Sequence, residues 1–258
     1  TVSDTTLTVD QTAATISTSS IASDNETVTL AKTGDTVTLT IATNENVSSP
    51  TVTFTSGGAA ATNADTVSGA SPGTSFTSAY TVDASDTDGT VAISITATDV
   101  AGNTTSGFTT ISAGSVTVDQ TAPASQKTQG VVTTGGDNQV AGYWNSGNTG
   151  VDITVPIADD SSINGGTVQL LVSTDGGGSF VPLDTPSTIS AVNTNKTISV
   201  ASGVLEGVAG FGESDVLQFK ATITDTSGNA TTGTVSDTTL TVDQTAATIS
   251  TSSIASDN

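Results

Sequence analysis

Val-Asp-Gln-Thr-Ala occurs three times in this chain, with its aspartate at Asp10, Asp119 and Asp243. Around the outer copies the identity is longer: Thr1 to Asn25 recurs residue for residue as Thr234 to Asn258, an offset of 233 residues. The middle copy divides that period into 109 residues from Asp10 to Asp119 and 124 from Asp119 to Asp243. Each interval is about the size of one β-sandwich domain. A fixed long period is the mark of a domain array. The two intervals differ in sequence, so the repeating unit is a pair, and the chain reads as one repeat of a longer array with overlapping ends. Residues 1–10 are expected to be the last strand of a preceding domain, 11–118 and 119–242 two full domains, and 243–258 the start of a following one.

The local pattern is that of short strands. Polar and apolar residues alternate in Thr36–Ile41, Thr51–Phe54 and Val91–Thr98 of the first interval. They do so again in Val151–Val155, Thr167–Ser173, Thr197–Val200 and Val216–Thr224 of the second. Thr on the outward positions suits a solvated pleated face, with Val, Leu, Ile and Phe turned inward. Turn chemistry separates the runs, at Lys32-Thr33-Gly34-Asp35, Ser56-Gly57-Gly58, Asp86-Thr87-Asp88-Gly89 and Gly102-Asn103. Ser173–Ser179, with three glycines, reads as a hairpin loop, and Val204–Asp215 as an insertion with room for a short helical turn. No long helical period is present. The fold class this implies is all-β: immunoglobulin-like sandwiches in a linear array.

Composition narrows the function. Four Lys stand against 25 Asp plus Glu, for a formal net charge of −21. That field disfavours nucleic acid and anionic membrane as partners, and favours cations. No apolar run is long enough for a membrane-spanning helix. With no His and no Cys, the usual acid–base and thiol routes to catalysis are closed, and an enzyme is not expected. Asp159 and Asp160 are adjacent carboxylates, but adjacency in a loop does not make a glycosidase cleft.

Both intervals end alike: a strand, an Asp-x-x-Gly-Asn turn, a last strand, then Val-Asp-Gln-Thr-Ala. The turns are Asp99-Val100-Ala101-Gly102-Asn103 and Asp225-Thr226-Ser227-Gly228-Asn229. With Ala122-Pro123 after Asp119, this ending resembles the bacterial Ig-like repeats of giant surface adhesins, over essentially the whole chain. The resemblance implies an exported, extracellular location on a bacterial cell surface and domain joints stiffened by calcium. In the outer copies Ala13-Ala14 and Ala246-Ala247 stand in place of Ala-Pro, so equal rigidity is not implied at every joint.

Calcium takes six to eight oxygens from carboxylates, amides and carbonyls, and the polarity of an Ig sandwich says where acids converge. The B–C and F–G loops share a pole with the incoming linker, and the E–F loop lies by the outgoing one. At the central joint Asp119 is therefore expected to meet Asp159, Asp160, Asp225 and Asn229, with Asp86 and Asp88 from the other side. At the upstream joint the set is Asp10, Glu45, Asp99 and Asn103. A plainer reading stands beside each. Asp-x-x-Gly-Asn also works simply as a turn. Asp86 by itself reads as a solvated turn, since Asp86–Gly89 lacks the rest of an EF-hand loop. Asp24-Asn25 and Asp137-Asn138, which recur after the linker, cap a turn or contact the next pole.

Trp144, the only Trp, is expected in a core or at a pole; exposed, it would stack on a sugar. Asn103-Thr104-Thr105 and Asn195-Lys196-Thr197 match a glycosylation triplet and carry little weight in such a chain. The Thr ladders, which would also suit an ice-binding face, follow from strand propensity. The reading is a structural segment of a stalk, adhesin or filament whose partners are neighbouring repeats and, laterally or head to tail, other copies. The alternatives are a glycan- or surface-binding module and a self-assembling sheath subunit.

Overall fold

The computed structural model describes residues 7–63, 67–136 and 138–252. The chain divides into two compact units. The first runs through Thr121 and includes Thr226–Asn229; the second comprises Ala122–Asp225 and the chain from Ala230 onward.

The first unit contains β1 (Ile16–Ser23), β2 (Leu30–Ala31), β3 (Thr36–Val47), β4 (Thr51–Ser56), β5 (Ala59–Ala60), β6 (Gly73–Thr81), β7 (Gly89–Thr98), β8 (Thr104–Phe108) and β9 (Thr117–Val118). One sheet has the order β1-β3-β6; the other has β2-β9-β7-β4-β5, with β8 also on β7. Among the described strands the pairings are antiparallel except β2 with β9, where Leu30 faces Thr117 and Ala31 faces Val118 in parallel; an isolated bridge of Ser20 to Ala113 is parallel as well. A first strand in one sheet, a short continuation crossing to pair in parallel with the last strand, and a Greek-key path between them is immunoglobulin-like topology.

The second unit repeats it. Its strands are β10 (Gln129–Thr134), β11 (Tyr143–Trp144), β12 (Gly150–Ile157), β13 (Thr167–Ser173), β14 (Val181–Thr188), β15 (Thr194–Ala201), β16 (Val216–Thr224), β17 (Ala230–Thr232) and β18 (Leu240–Val242). The sheets are β10-β12-β15 and β11-β18-β16-β13-β14, with β17 also on β16. Again one short crossing strand, β11, runs parallel to the last, β18. A single helical turn, α1 (Ser202–Leu205), starts two residues before the expected insertion Val204–Asp215 and only its second half falls within it. β14 tolerates Pro182 and Pro186 because it is the edge of its sheet, where a missing N–H removes no ladder bond.

Alternation produces the two cores. In β3 the residues Val37, Leu39 and Ile41 are fully buried while Thr38 and Thr40 face out. Burying each such aliphatic side chain stabilises by about 1.5–3 kcal/mol. Outward positions of the β1-β3-β6 sheet are mostly Thr, Ser and Ala, with Asn44 and Asn46 toward the end of β3: Ser20 faces Thr40, and Thr40 faces Thr77. Apart from Glu45, near the end of β3, the acids of the first unit lie outside its described strands.

Trp144 is wholly buried, and its indole N–H donates to Glu206 Oε1 at 3.0 Å. Trp144 is thus core, as expected, which leaves its ring no face for a sugar; Tyr143 is the exposed neighbour. Residues 7–9 form no strand, and Leu7 and Val9 are exposed; the rest of the expected N-terminal strand, 1–6, lies outside the described residues. Asn25 caps a turn, its Oδ1 accepting from the Thr27 N–H, whereas Asp24 Oδ1 accepts from the N–H of Thr36, 12 residues on at the start of β3. Asp137 lies outside the described residues. No helix is long and apolar enough to cross a membrane among the described residues.

Candidate metal centre

Three segments meet at one end of the first unit. Asp10 precedes β1, Glu45 lies near the end of β3, and Asp99 follows β7. Each offers one carboxylate oxygen, and the three oxygens lie within 4.8 Å of one another. Local hydrogen bonds fix each segment. Asp10 Oδ1 accepts from the Thr12 N–H at 3.1 Å. Asn44, beside Glu45, docks the incoming chain: its Oδ1 accepts from the Thr15 N–H, and its own N–H donates to the Thr15 carbonyl. Asn44 went unnoticed in the sequence, where its only signal was adjacency to Glu45.

Asp99 is the most constrained of the three. Only 2% exposed, it accepts at Oδ1 from the N–H groups of Ala101 and Asn103, and at Oδ2 from Asn103 Nδ2, all at 2.9 Å. Gly102 completes the turn at φ +99, a conformation open to glycine and strained for other residues. The Asn103 amide, helped by the backbone N–H groups, holds the Asp99 carboxyl below the usual carboxylate range, against the opposing effect of burial. Asn103 also donates to the Asp10 carbonyl at 3.3 Å. The turn reading of Asp-x-x-Gly-Asn is therefore correct for Asp99, and the same residue belongs to the acidic group.

The donor set suits a hard divalent cation: three carboxylate oxygens, with no nitrogen or sulfur ligand among them. The one Lys of residues 7–121 is Lys32, which pairs with Asp35 at 3.4 Å. No lysine of the unit thus neutralises the three acids. Asp10, Glu45 and Asp99 would hold the ion, and its charge would offset their mutual repulsion.

The other end of the unit is built differently. Asp86 is buried rather than solvated, because Thr62 folds over it. Its Oδ1 accepts from the Thr62 N–H and Oγ1 at 3.0 and 2.7 Å, and its Oδ2 from the Asp83 N–H at 2.9 Å. Asp88 accepts from the Gln120 N–H at 2.9 Å and Thr121 Oγ1 at 2.7 Å, while Gln120 Nε2 donates to the Asp86 carbonyl at 2.8 Å. These two acids therefore clamp the outgoing segment.

The Asp119 N–H donates to the Ala31 carbonyl at 2.9 Å. Asp119 also takes bonds from two residues that belong to this unit: Ser227 Oγ reaches Oδ2 at 3.1 Å and Asn229 Nδ2 reaches its carbonyl at 2.9 Å. That last bond repeats the pairing of Asn103 with Asp10.

In the second unit Asp159 is exposed. Asp160 caps the 3-10 turn Ser161–Ile163, accepting from the Ser162 N–H and Oγ at 2.9 and 2.7 Å. Asp225 is buried at the end of β16.

No protein-family model matches the chain, and no curated protein matches it. Among solved structures it is similar to an I-band fragment of titin, at 11% identity over 91% of this chain and 67% of that one, with a TM-score of 0.41. It is also similar to a tetra-tandem repeat from the extending region of a large adhesion protein, at 20% identity over 89% of this chain and 50% of that one, with a TM-score of 0.29. A third similarity is to the human OSCAR ligand-binding domain, at 9% identity over 88% and 98% of the two chains, with a TM-score of 0.31.

Proposed function

We propose that this chain is a load-bearing spacer: a structural repeat segment of a bacterial stalk or adhesin, outside the cell, whose joints calcium stiffens. The observation that carries the reading lies within the first unit. Asp10 enters beside Asp99, just past one end of β7, and the chain leaves where Gly89, at the other end, pairs with Val118. The backbone thus crosses the sandwich from pole to pole, the arrangement a chain needs if domains in series are to span distance. The second unit has the same course. It is entered where Lys127 pairs with Thr234, just past β17, and left where Val216 faces Thr241.

Calcium fits the incoming pole because carboxylates gathered there repel one another until a cation joins them. Extracellular modules bind calcium at about 10⁻⁴ to 10⁻³ M, a range matched to concentrations outside cells. The partners on this reading are the neighbouring repeats, and the role is mechanical rather than catalytic.

Small-angle scattering and calcium calorimetry of the 258-residue chain, which keeps Asp10, with calcium and with chelator, test it. On this reading calcium lengthens the particle or narrows its distribution of lengths, and Asp119→Ala in calcium reproduces the chelated profile. Identical profiles in all conditions, with no calcium heat by calorimetry, would remove calcium from the account. A compact particle in every condition would remove the spacer.

A further inference from the structure

The two units treat the same sheet edge differently. In the first, β1 ends its sheet, and the chain leading to β9 closes on it. The Ile21 N–H donates to the Ala113 carbonyl at 3.0 Å, and the N–H groups of Ser112 and Ala113 donate to the Ser19 carbonyl at 2.8 and 3.1 Å. Ser20 and Ala113 form a parallel bridge. Gly114 makes this approach possible. Its φ is +80, and a Cβ there would collide with the Ile21 carbonyl oxygen.

In the second unit β10 likewise ends its sheet, and Val131 faces Ile153 as Ile21 faces Leu39. Gly114 is five residues before Asp119, and Thr238 is five before Asp243. Threonine brings the Cβ that the close approach forbids. The chain before β18 turns the other way. The Ser236 N–H donates to the Phe219 carbonyl of β16 at 2.8 Å, and Ser236 Oγ donates to the Thr238 carbonyl at 2.7 Å. Backbone pairing with the entering chain stops at Thr128, whose N–H donates to the Thr234 carbonyl at 3.4 Å. Among the described residues no backbone hydrogen bond joins residues 235–239 to β10.

A cleft of about 280 Å³ stands in that gap. Its walls include Val131 and Thr133 of β10, Ala141 of the turn before β11, and Thr238. Gln139 also lines it, and its side-chain amide acts there as a peptide group would. It donates to the Thr133 carbonyl at 3.1 Å and accepts from the Gly135 N–H at 3.0 Å. Among the described residues no charged side chain lines the cleft, although the chain carries a net charge of −21.

We propose that this cleft binds an extended segment of another polypeptide, with small uncharged side chains, laid parallel to β10 as an added strand. The first unit shows the fit, because Ser112-Ala113-Gly114 of its own chain holds the same place on β1. An unpaired sheet edge is a template for a strand, and strand addition takes its affinity from main-chain bonds and its selectivity from the side-chain pockets. Here the pockets are shallow, apolar or hydroxyl-lined, and offer no partner to a charge. The cleft lies between the entry at Lys127 and the exit at Val242, on a flank of the second unit. Its walls owe nothing to what precedes or follows that unit. The inference is independent of calcium and of the spacer reading.

The probe is the capped peptide Thr-Ile-Ser-Ala-Gly-Ser, the sequence of residues 110–115, titrated into the isotope-labelled 258-residue chain. The expected result is saturable NMR shifts at the Val131, Thr133 and Ala141 N–H groups by about 1 mM peptide. Ile21, whose edge is already closed, should not shift. Ala141 is exposed, so Ala141→Trp fills the cleft from outside the core. It should weaken binding by about tenfold or more and leave the melting of the second unit unchanged. Thr238→Gly should weaken binding by another route, letting the chain's own segment close on β10 and slowing hydrogen exchange at Val131. No shifts at that concentration, shifts that survive either substitution, or equal shifts at Ile21 would overturn the proposal.

Discussion

Asn103 grips both oxygens of Asp99, its backbone N–H on Oδ1 and its side-chain Nδ2 on Oδ2, each at 2.9 Å. This fork stabilises the charged form of Asp99, so the folded carboxyl sits below its ordinary value. A depressed carboxylate contributes stability that is present above the unfolded value, about 3.9, and is lost as pH falls through the folded one. Asn103→Ala should return the Asp99 carboxyl toward the ordinary range and begin acid unfolding of the first unit at a higher pH. Carbon-detected NMR titration of Asp99 reads the first effect and circular dichroism the second. An Asp99 titration unchanged in the variant would show that the amide does not set it.

Glu45 separates metal binding from folding, because it is partly exposed and Asp99, not Glu45, anchors the turn. Glu45→Gln should weaken calcium binding on the order of tenfold to a hundredfold. The melting temperature in chelator should stay as it was. Calorimetry with calcium and thermal melts with chelator check the two halves. A full-strength calcium heat in the variant would take Glu45 out of the centre.

Tyr80 is fully buried in the first core, and burial, with the charge of Asp86 adding to it, pushes its phenol up to about 12. A tyrosine raised above its unfolded value near 10 contributes stability that is intact below that value and disappears as pH climbs through the folded one. The first unit should therefore unfold in alkali between about 10 and 12. In Asp86→Asn the phenol should ionise at lower pH, measured by phenolate absorbance. Coincident ionisation in the two proteins would mean that burial alone is responsible.

Trp144 reports on the second unit alone. Glu206→Ala leaves a buried indole N–H without its carboxylate, a change that costs about 1–3 kcal/mol. Urea unfolding followed by tryptophan fluorescence should shift to lower denaturant, while Tyr80, in the other unit, keeps its own transition. An unshifted tryptophan transition would mean that water replaces Glu206 without loss.

Much of this was legible in the sequence. Alternation in Thr36–Ile41 and Val216–Thr224 marked strands because a period of two has few other physical causes. Sandwich polarity brought Asp10, Glu45, Asp99 and Asn103 to one end of the first unit, and set Asp86 and Asp88 beside the outgoing chain. What stayed hidden depends on contacts remote along the chain. Burial of Asp86 comes from Thr62, 24 residues away, and the partner of Trp144 is 62 residues away. The crossing strands β2 and β11 are two residues each, too short for any period to show. β14 carries two prolines, which local rules count against a strand and only its edge position permits.

The pole-to-pole course of the first unit fixes how much chain it keeps in reserve. Ten residues of β7 cover the distance between its ends, about 33 Å at the rise of a strand. The 109 residues from Asp10 to Asp119 would extend to roughly 370 Å. On the spacer reading proposed above, a tether of such units under a sudden pull would surrender one sandwich and gain some ten times its length in slack while the other units keep their fold.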